Sequence, residues 1–321
     1  MARLRDQPDD LFALISRTSE AVGIPVHFVE KDFWVTELLR AVVAAANQEH
    51  AVAVFKGGTS LSKAYGIIER FSEDVDILLV PPAGLGSAAR HSVLKRICLS
   101  AAEHLGVKAE AILVKESETG VKRNVRIPYR RQFELGPLSE GILLEMGIRG
   151  GPQPRMSLDL RSLISAEARQ MGVGEGEFEE LAPVRVEVLG SERTLVEKLS
   201  LLHGLAMLFP DEDAAAALER SGRHFYDIHQ LLGHVPTREA CEGKDTVEKL
   251  ASDIGEHSAA HGWPYTPRPT GGYGNSPVFG PEWAGAAVVR RGYEVASELV
   301  YGAKPTFDEC VSRVHEFAAI L

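Results

Sequence analysis

The chain has 321 residues, 45% of them hydrophobic and 25% charged, with a formal net charge of −10. That is the composition of an ordinary globular protein of about two domains, and it argues against general coating of nucleic acid while leaving room for a local basic groove. No apolar run approaches the ~20 residues that span a bilayer and no apolar signal region opens the chain. The three cysteines, Cys98, Cys241 and Cys310, lack metal-type spacing, so a reducing cytoplasm and no membrane are expected.

Apolar spacing predicts a helix over 9–22, with Leu11, Leu14, Ile15 and Val22 inward, and a second from Pro25 to about Asn47. On the second, Phe28, Phe33, Trp34, Leu38 and Leu39 form the buried stripe, while Lys31 and Asp32 read as a surface pair. A short strand, Val52 to Phe55, then runs into Lys56-Gly57-Gly58-Thr59-Ser60 and a helical turn with Leu61, Ala64 and Tyr65 on one face. The next strand carries Asp74-Val75-Asp76. Residues two apart on a strand share a face, so Asp74 and Asp76 aim together while Val75 and Ile77 enter a core. Adjacent carboxylates repel unless a cation lies between them. A glycine-rich turn opening a helix offers backbone N–H groups to phosphate. Each motif alone is common. Together, joined by one short helix, they are the minimal equipment for phosphoryl or nucleotidyl transfer.

A helix is expected over 88–105, and strands over 107–114, 121–129 and 143–148. Lys122, Arg123 and Arg126 in the middle strand, followed by Arg130 and Arg131, form the most basic stretch of an acidic chain. It reads either as a solvated sheet face or as a contact for triphosphate or an RNA backbone. Glu145 is a carboxylate among apolar neighbours and needs a partner or a metal; Asp159 is its rival as a third carboxylate. Residues 172–180 read as an exposed loop and 184–188 as a strand. A domain boundary is placed after Leu189, giving 1–189 and a mainly helical 190–321. A helix over 191–208 buries Leu195, Leu199, Leu202 and Leu208 and carries Glu197, Lys198 and His203 as polar members. His224 and His229 are five apart, which places them on different helix faces, unlike a zinc pair. Residues 263–283 are rich in Pro and Gly but hold two Trp, two Tyr and a Phe, so an ordered loop packed on both domains is expected, with Tyr265 and Tyr273 as possible base-stacking groups. Helices over 284–299 and 306–321 close the chain.

The string GGTSLSKAYG…RFSEDVDILL resembles the AbiEii/AbiGii-type toxin nucleotidyltransferases, a branch of the DNA polymerase β-like nucleotidyltransferase superfamily that includes the MenT-like toxins. Glu30-Lys31-Asp32-Phe33-Trp34, Thr194-Leu195-Val196-Glu197-Lys198-Leu199 and His224-Phe225-Tyr226-Asp227 are similar to the family's other motifs, in the same order. The Gly58–Asp74 linker is longer than in many superfamily members, which suits this branch. The resemblance implies an α+β fold: a mixed sheet flanked by helices, with a helical C-terminal domain across a cleft. It implies transfer of a nucleoside monophosphate from an NTP with Mg2+ or Mn2+, releasing pyrophosphate. Asp74 and Asp76 would hold the metal, and Lys56, Gly57, Gly58, Thr59, Ser60 and Lys63 would bind the nucleotide. Lys198 would steady the phosphates. Asp227 would activate the acceptor or position Lys198, and Glu145 would complete the metal site or help to deprotonate the acceptor. His224 joins Lys122, Arg123, Arg126 and Arg130 as a candidate phosphate or RNA contact. MenT-like relatives modify the tRNA 3′ end and pair with a cognate antitoxin encoded nearby; some antitoxins phosphorylate a serine just before the Asp-x-Asp, where Ser72 stands here. Two other readings are a nucleotidyltransferase for a small molecule or a protein hydroxyl, and an NTP-binding regulatory protein without turnover.

Overall fold

The structure, a computed structural model, describes residues 1–70, 74–136, 138–243 and 245–321. These residues fall into two compact units. The first comprises 1–59, 74–148 and 155–188; the second comprises 60–70, 149–154 and 189–321. The chain therefore enters the second unit twice before settling there.

The first unit opens with α1 (Pro8–Val22) and α2 (Val26–Gln48). Pro8 occupies the first turn of α1, where its missing N–H costs nothing, and Gly23 ends the helix at φ 70. Then follow β1 (Val52–Lys56), α3 (Gly57–Lys63), which passes into the second unit after Thr59, and, in the first unit, β2 (Asp74–Val80), α4 (Ser87–His104), β3 (Leu113–Glu118), β4 (Lys122–Ile127), β5 (Ile142–Gly147), β6 (Arg155–Leu160), α5 (Ile164–Gln170) and β7 (Val184–Leu189). The seven strands form one sheet in the order β3-β4-β5-β2-β1-β7-β6. It is mixed: β1 pairs parallel to β7 and β2 parallel to β5, whereas β1/β2, β3/β4 and β4/β5 are antiparallel. One face carries Phe55, Val75, Ile77, Leu144, Met146 and Val125, all buried, and the elements packed on this sheet include α2 and α4. Phe33, Trp34, Leu38 and Leu39 of α2 are buried in the same core, and Trp34 stacks on Tyr129 at 5.6 Å.

Several sequence expectations are corrected here. Val22, expected inward, is exposed at the last position of α1. Lys31 and Asp32 are not a surface pair. Lys31 is wholly buried and donates to the carbonyls of Ser139 at 2.9 Å and Gly141 at 2.5 Å, and Asp32 accepts the backbone N–H of Leu163 at 2.7 Å. Charges on a helix face look solvated in sequence, but here a returning chain supplies backbone partners. The strand expected at 107–114 lies at Leu113–Glu118, after a 3-10 turn at Ala109–Ala111. All six residues of β3 are exposed, so pairing with β4 sets its position and the apolar alternation does not. The 172–180 loop ends in a buried residue: Glu180 accepts the N–H groups of Leu4 at 2.9 Å and Arg5 at 3.1 Å.

The second unit contains α6 (Ser191–Leu208), α7 (Glu212–Arg220), α8 (Arg223–Gly233), α9 (Val235–Glu242), α10 (Thr246–Ala260), α11 (Ala286–Ser297) and α12 (Phe307–Glu316). A Thr306/Glu309 capping box starts α12, and Asp211 caps α7 by accepting from the N–H of Ala214 at 3.0 Å. The core joins Leu195, Leu199 and Leu202 of α6 to Phe225, Ile228 and Leu231 of α8, and takes in Leu61 and Ile68. The aromatic Pro/Gly stretch is ordered within this unit. Tyr273 is buried with its hydroxyl bonded to Ser200, and Tyr265 donates to the Ala251 carbonyl at 2.6 Å. Both tyrosines are thus engaged in packing. No helix among the described residues is long and apolar enough to cross a membrane.

Candidate active site

In β2 the residues alternate between half-exposed Asp74 and Asp76 and buried Val75 and Ile77. The two carboxylates therefore share the sheet face opposite the α2/α4 core. Register extends this into a row. Asp76 lies beside Lys56 of β1 and beside Glu145 of β5, and Glu145 lies beside Asn124 of β4. Cross-strand neighbours share a face, so Lys56, Asp76, Glu145 and Asn124 present their side chains together. The Asn124 amide donates to Glu145 Oε1 at 3.3 Å. Asp159 stands on β6, the sheet's edge strand, exposed and 3.7 Å from Arg185. The strand order thus puts Glu145 next to β2 and Asp159 three strands from it.

The glycine turn is built against the same carboxylates. Gly57 has φ +73, and a Cβ placed there would come within 1.9 Å of Asp76 Oδ2. Only glycine allows the backbone both this conformation and this approach. Thr59 and Ser60 are buried, and the Thr59 hydroxyl donates to the Asp74 carbonyl, locking the turn to the aspartate strand. Lys63 closes α3 in a half-buried position. The donor chemistry on this face, hard carboxylate oxygens without thiol or imidazole, fits a divalent ion of the magnesium or manganese type.

The basic stretch divides between two faces. Lys122 and Arg126 share the face of Glu145; Lys122 pairs with Glu116, and Arg126 donates to the Glu140 carbonyl at 2.9 Å. Arg123 stands on the opposite face with Val125 and Ile127, and its charge acts on buried Cys98 of α4. Arg130 is exposed beyond the strand. A single strip of Lys122, Arg123 and Arg126 is ruled out because the strand period of two sends the middle residue to the other side.

In the helical unit a second group of ionisable residues is buried together. Asp227 on α8 is wholly buried, and Arg70 grips it with two bonds, Nε to Oδ1 at 2.7 Å and Nη2 to Oδ2 at 2.8 Å. Lys198 on α6 lies 2.9 Å from the same Oδ2, and His224 Nδ1 is 3.1 Å from the Lys198 ammonium. Burial alone would push the Asp227 carboxyl up, but Arg70 and Lys198 outweigh it and hold the group well below the usual carboxylate range. Burial and the Lys198 charge lower His224 to about 3, so its ring is neutral at pH 7. Burial also lowers Lys198, against the pull of Asp227. Sequence reasoning missed Arg70, although it lies inside the motif string that carries the resemblance. Its partner is 157 positions away, and no local pattern reports such a pair.

Among the described residues, Glu37, His104 and Glu179 also bring ligand-type atoms together. Arg5 supplies a cation there already, with Nη1 2.5 Å from Glu179 and 3.6 Å from Glu37. The group is an ion-pair network anchoring the N-terminal turn. Ser72 lies outside the described residues.

No curated protein matches the sequence. Among solved structures, the nucleotidyltransferase toxin MenT4 of Mycobacterium tuberculosis H37Rv is similar at 17% identity and a TM-score of 0.48, over 96% of this chain and 93% of that one. The family model described as "Nucleotidyl transferase AbiEii toxin, Type IV TA system" matches residues 37–312, a span that contains Asp74, Asp76, Glu145, Lys198 and Asp227. The chain belongs to the AbiEii nucleotidyl transferase toxin family of type IV toxin–antitoxin systems.

Proposed function

We propose that this nucleotidyltransferase toxin moves a nucleoside monophosphate from an NTP to the 3′ end of tRNA, in the cytoplasm and with Mg2+, and so blocks translation. Membership of the family carries the enzyme class, the NTP and the existence of a cognate antitoxin. The single observation that supports the assignment of the centre is the shared face of Asp74 and Asp76, with Glu145 in register beside them and Gly57 tucked against Asp76.

Asp74 and Asp76 would hold the divalent ion, with Glu145 completing the oxygen set. When bound, the ion supplies charge neutralisation on the triphosphate and orientation for in-line displacement of pyrophosphate. The Gly57-Gly58 backbone, with Lys56 and Lys63, is assigned to the triphosphate. Lys198 is assigned to the charge that develops on the departing pyrophosphate. Asp227 is assigned to positioning Lys198. A carboxylate with both oxygens occupied by cations and a depressed pKa is a poor proton acceptor, so acceptor activation falls to the Asp74/Asp76/Glu145 face. Lys122, Arg126 and Arg130 are the candidate contacts to an RNA backbone. The functional division follows the same lines, with residues 1–189 as the nucleotidyltransferase domain and 190–321 as the helical domain.

The test is a labelling reaction with purified protein, Mg2+, total tRNA and each α-labelled NTP in turn. Label is expected on tRNA, reduced by roughly 100-fold or more in Asp74→Ala and in Asp76→Ala. Label on protein or on a small molecule, with none on tRNA from any NTP, would replace the tRNA reading by one of those acceptors.

A further inference from the structure

Lys198, on the reading above, must meet a phosphate oxygen, yet it sits 2.9 Å from a fully buried carboxylate that could neutralise it outright. The arrangement around Asp227 resolves this conflict. Arg70 takes both carboxylate oxygens in a fork, the strongest geometry available between a guanidinium and a carboxylate. Lys198 shares only one of those oxygens, Oδ2. Its other neighbour, His224, is a neutral ring whose Nδ1 lies 3.1 Å from the ammonium and 3.7 Å from Asp227 Oδ2, and it contributes no counter-charge. An ammonium has three N–H donors, and Asp227 Oδ2 and His224 Nδ1 are the two groups beside it, so at least one donor is left for a phosphate oxygen. Arg223, exposed at the start of α8, adds a further positive charge that acts on both Lys198 and His224.

Arg70 is itself held from several sides. Glu69 donates its N–H to the Tyr226 hydroxyl at 3.0 Å, and its carbonyl accepts from the N–H of Tyr301 at 2.9 Å. Arg70 forms a β-bridge with Val300. Gly302 packs so closely on Glu69 that a Cβ there would come within 1.8 Å of the carboxylate. The guanidinium is thus delivered to Asp227 by a clamped backbone.

We infer that Arg70 is a positioning residue of the transfer reaction: by taking up Asp227 through both oxygens it leaves the Lys198 ammonium only partly compensated, and so ready to bind a phosphate oxygen of the triphosphate and of the departing pyrophosphate. Without Arg70, Asp227 turns fully to Lys198 and the two close into a neutral pair. The inference rests on the assignment of Lys198 to phosphate.

The test is calorimetric titration of the full chain with inorganic pyrophosphate in the absence of added metal, with melting curves confirming that each variant is folded. Lys198→Met is expected to weaken binding about ten-fold, the loss of one charge-assisted contact. Arg70→Gln is expected to weaken it by a similar factor, about ten-fold, although Arg70 itself does not touch the anion. The double variant Arg70→Gln/Asp227→Asn removes the carboxylate that would capture Lys198, and it is expected to return to within about three-fold of wild type. A merely structural role for Arg70 predicts no such recovery. If Arg70→Gln does not fold, Arg70→Lys keeps the competing charge and is expected to lose less than about three-fold. Wild-type binding by Arg70→Gln, or a folded double variant as weak as Arg70→Gln, or a ten-fold loss in folded Arg70→Lys, would overturn the inference while leaving Lys198 assigned to phosphate. Wild-type binding by Lys198→Met would remove that assignment, and the inference with it.

Discussion

Gly57 is the residue at which the phosphate turn and the aspartate strand meet. Its φ of +73, and the 1.9 Å that would separate a Cβ from Asp76 Oδ2, leave no room for any side chain. Gly57→Ala should displace Asp76 and strain the turn, costing about 1–3 kcal/mol of stability by urea unfolding and a far larger share of activity, on the order of 100-fold in label transfer. Equal activity in the alanine variant would remove Asp76 from the centre. At His224 the prediction concerns pH. Its pKa is about 3 in the folded chain, where burial and Lys198 depress it, against an ordinary 6.5. Between those values the unfolded chain binds a proton that the folded chain refuses, so this contribution to stability is lost as pH falls from 6.5 towards 3. From pH 7 to pH 5 the loss is on the order of 2 kcal/mol. Asp227, held below its ordinary 3.8, adds a loss of the same sign only in stronger acid. Urea unfolding at a series of pH values should show a shallower acid slope in His224→Gln than in wild type; parallel slopes would place the ring in contact with water.

At the scale of elements, α2 does more than bury an aromatic stripe. Three consecutive charged residues bind backbone from loops far along the chain: Glu30 accepts from the N–H groups of Gln132 at 2.7 Å and Phe133 at 3.4 Å, Lys31 donates to the carbonyls of Ser139 and Gly141, and Asp32 accepts from Leu163. The loop that Glu30 and Lys31 hold leads directly into β5, the strand that carries Glu145. Lys31→Met keeps the volume and leaves two carbonyls without their donor. It should lower stability by about 2–4 kcal/mol, read from urea midpoints. A smaller change than about 0.5 kcal/mol would show that water replaces the ammonium and that the latch is dispensable. Regular elements were legible wherever one face is buried: α6 occupies Ser191–Leu208 and buries Leu195, Leu199 and Leu202 as its leucine spacing predicts, whereas Leu208, expected on the buried side, is exposed at the helix end. The exposed edge strand β3 slipped because no buried face marks its register.

For the molecule as a whole, the division between what was readable and what was not follows sequence distance. The sequence by itself determined the paired motifs: a glycine turn needing φ > 0, a short helix, and two aspartates alternating with buried aliphatics on one strand. Each depends on backbone geometry over a few residues, so a local pattern contains it. It also determined the family, because the remaining motifs follow in order along the same chain. The tertiary structure alone decided which distant groups became neighbours. Strand order set Glu145 beside Asp76 and sent Asp159 to the sheet edge. Residues 60–70, close in sequence to the aspartates, pack with the helices and bring Arg70 to Asp227. The physical reason is that which strands pair and which helices pack is settled between whole elements, and a buried charge such as Asp227 needs a partner that only this packing delivers; no short stretch of sequence records it.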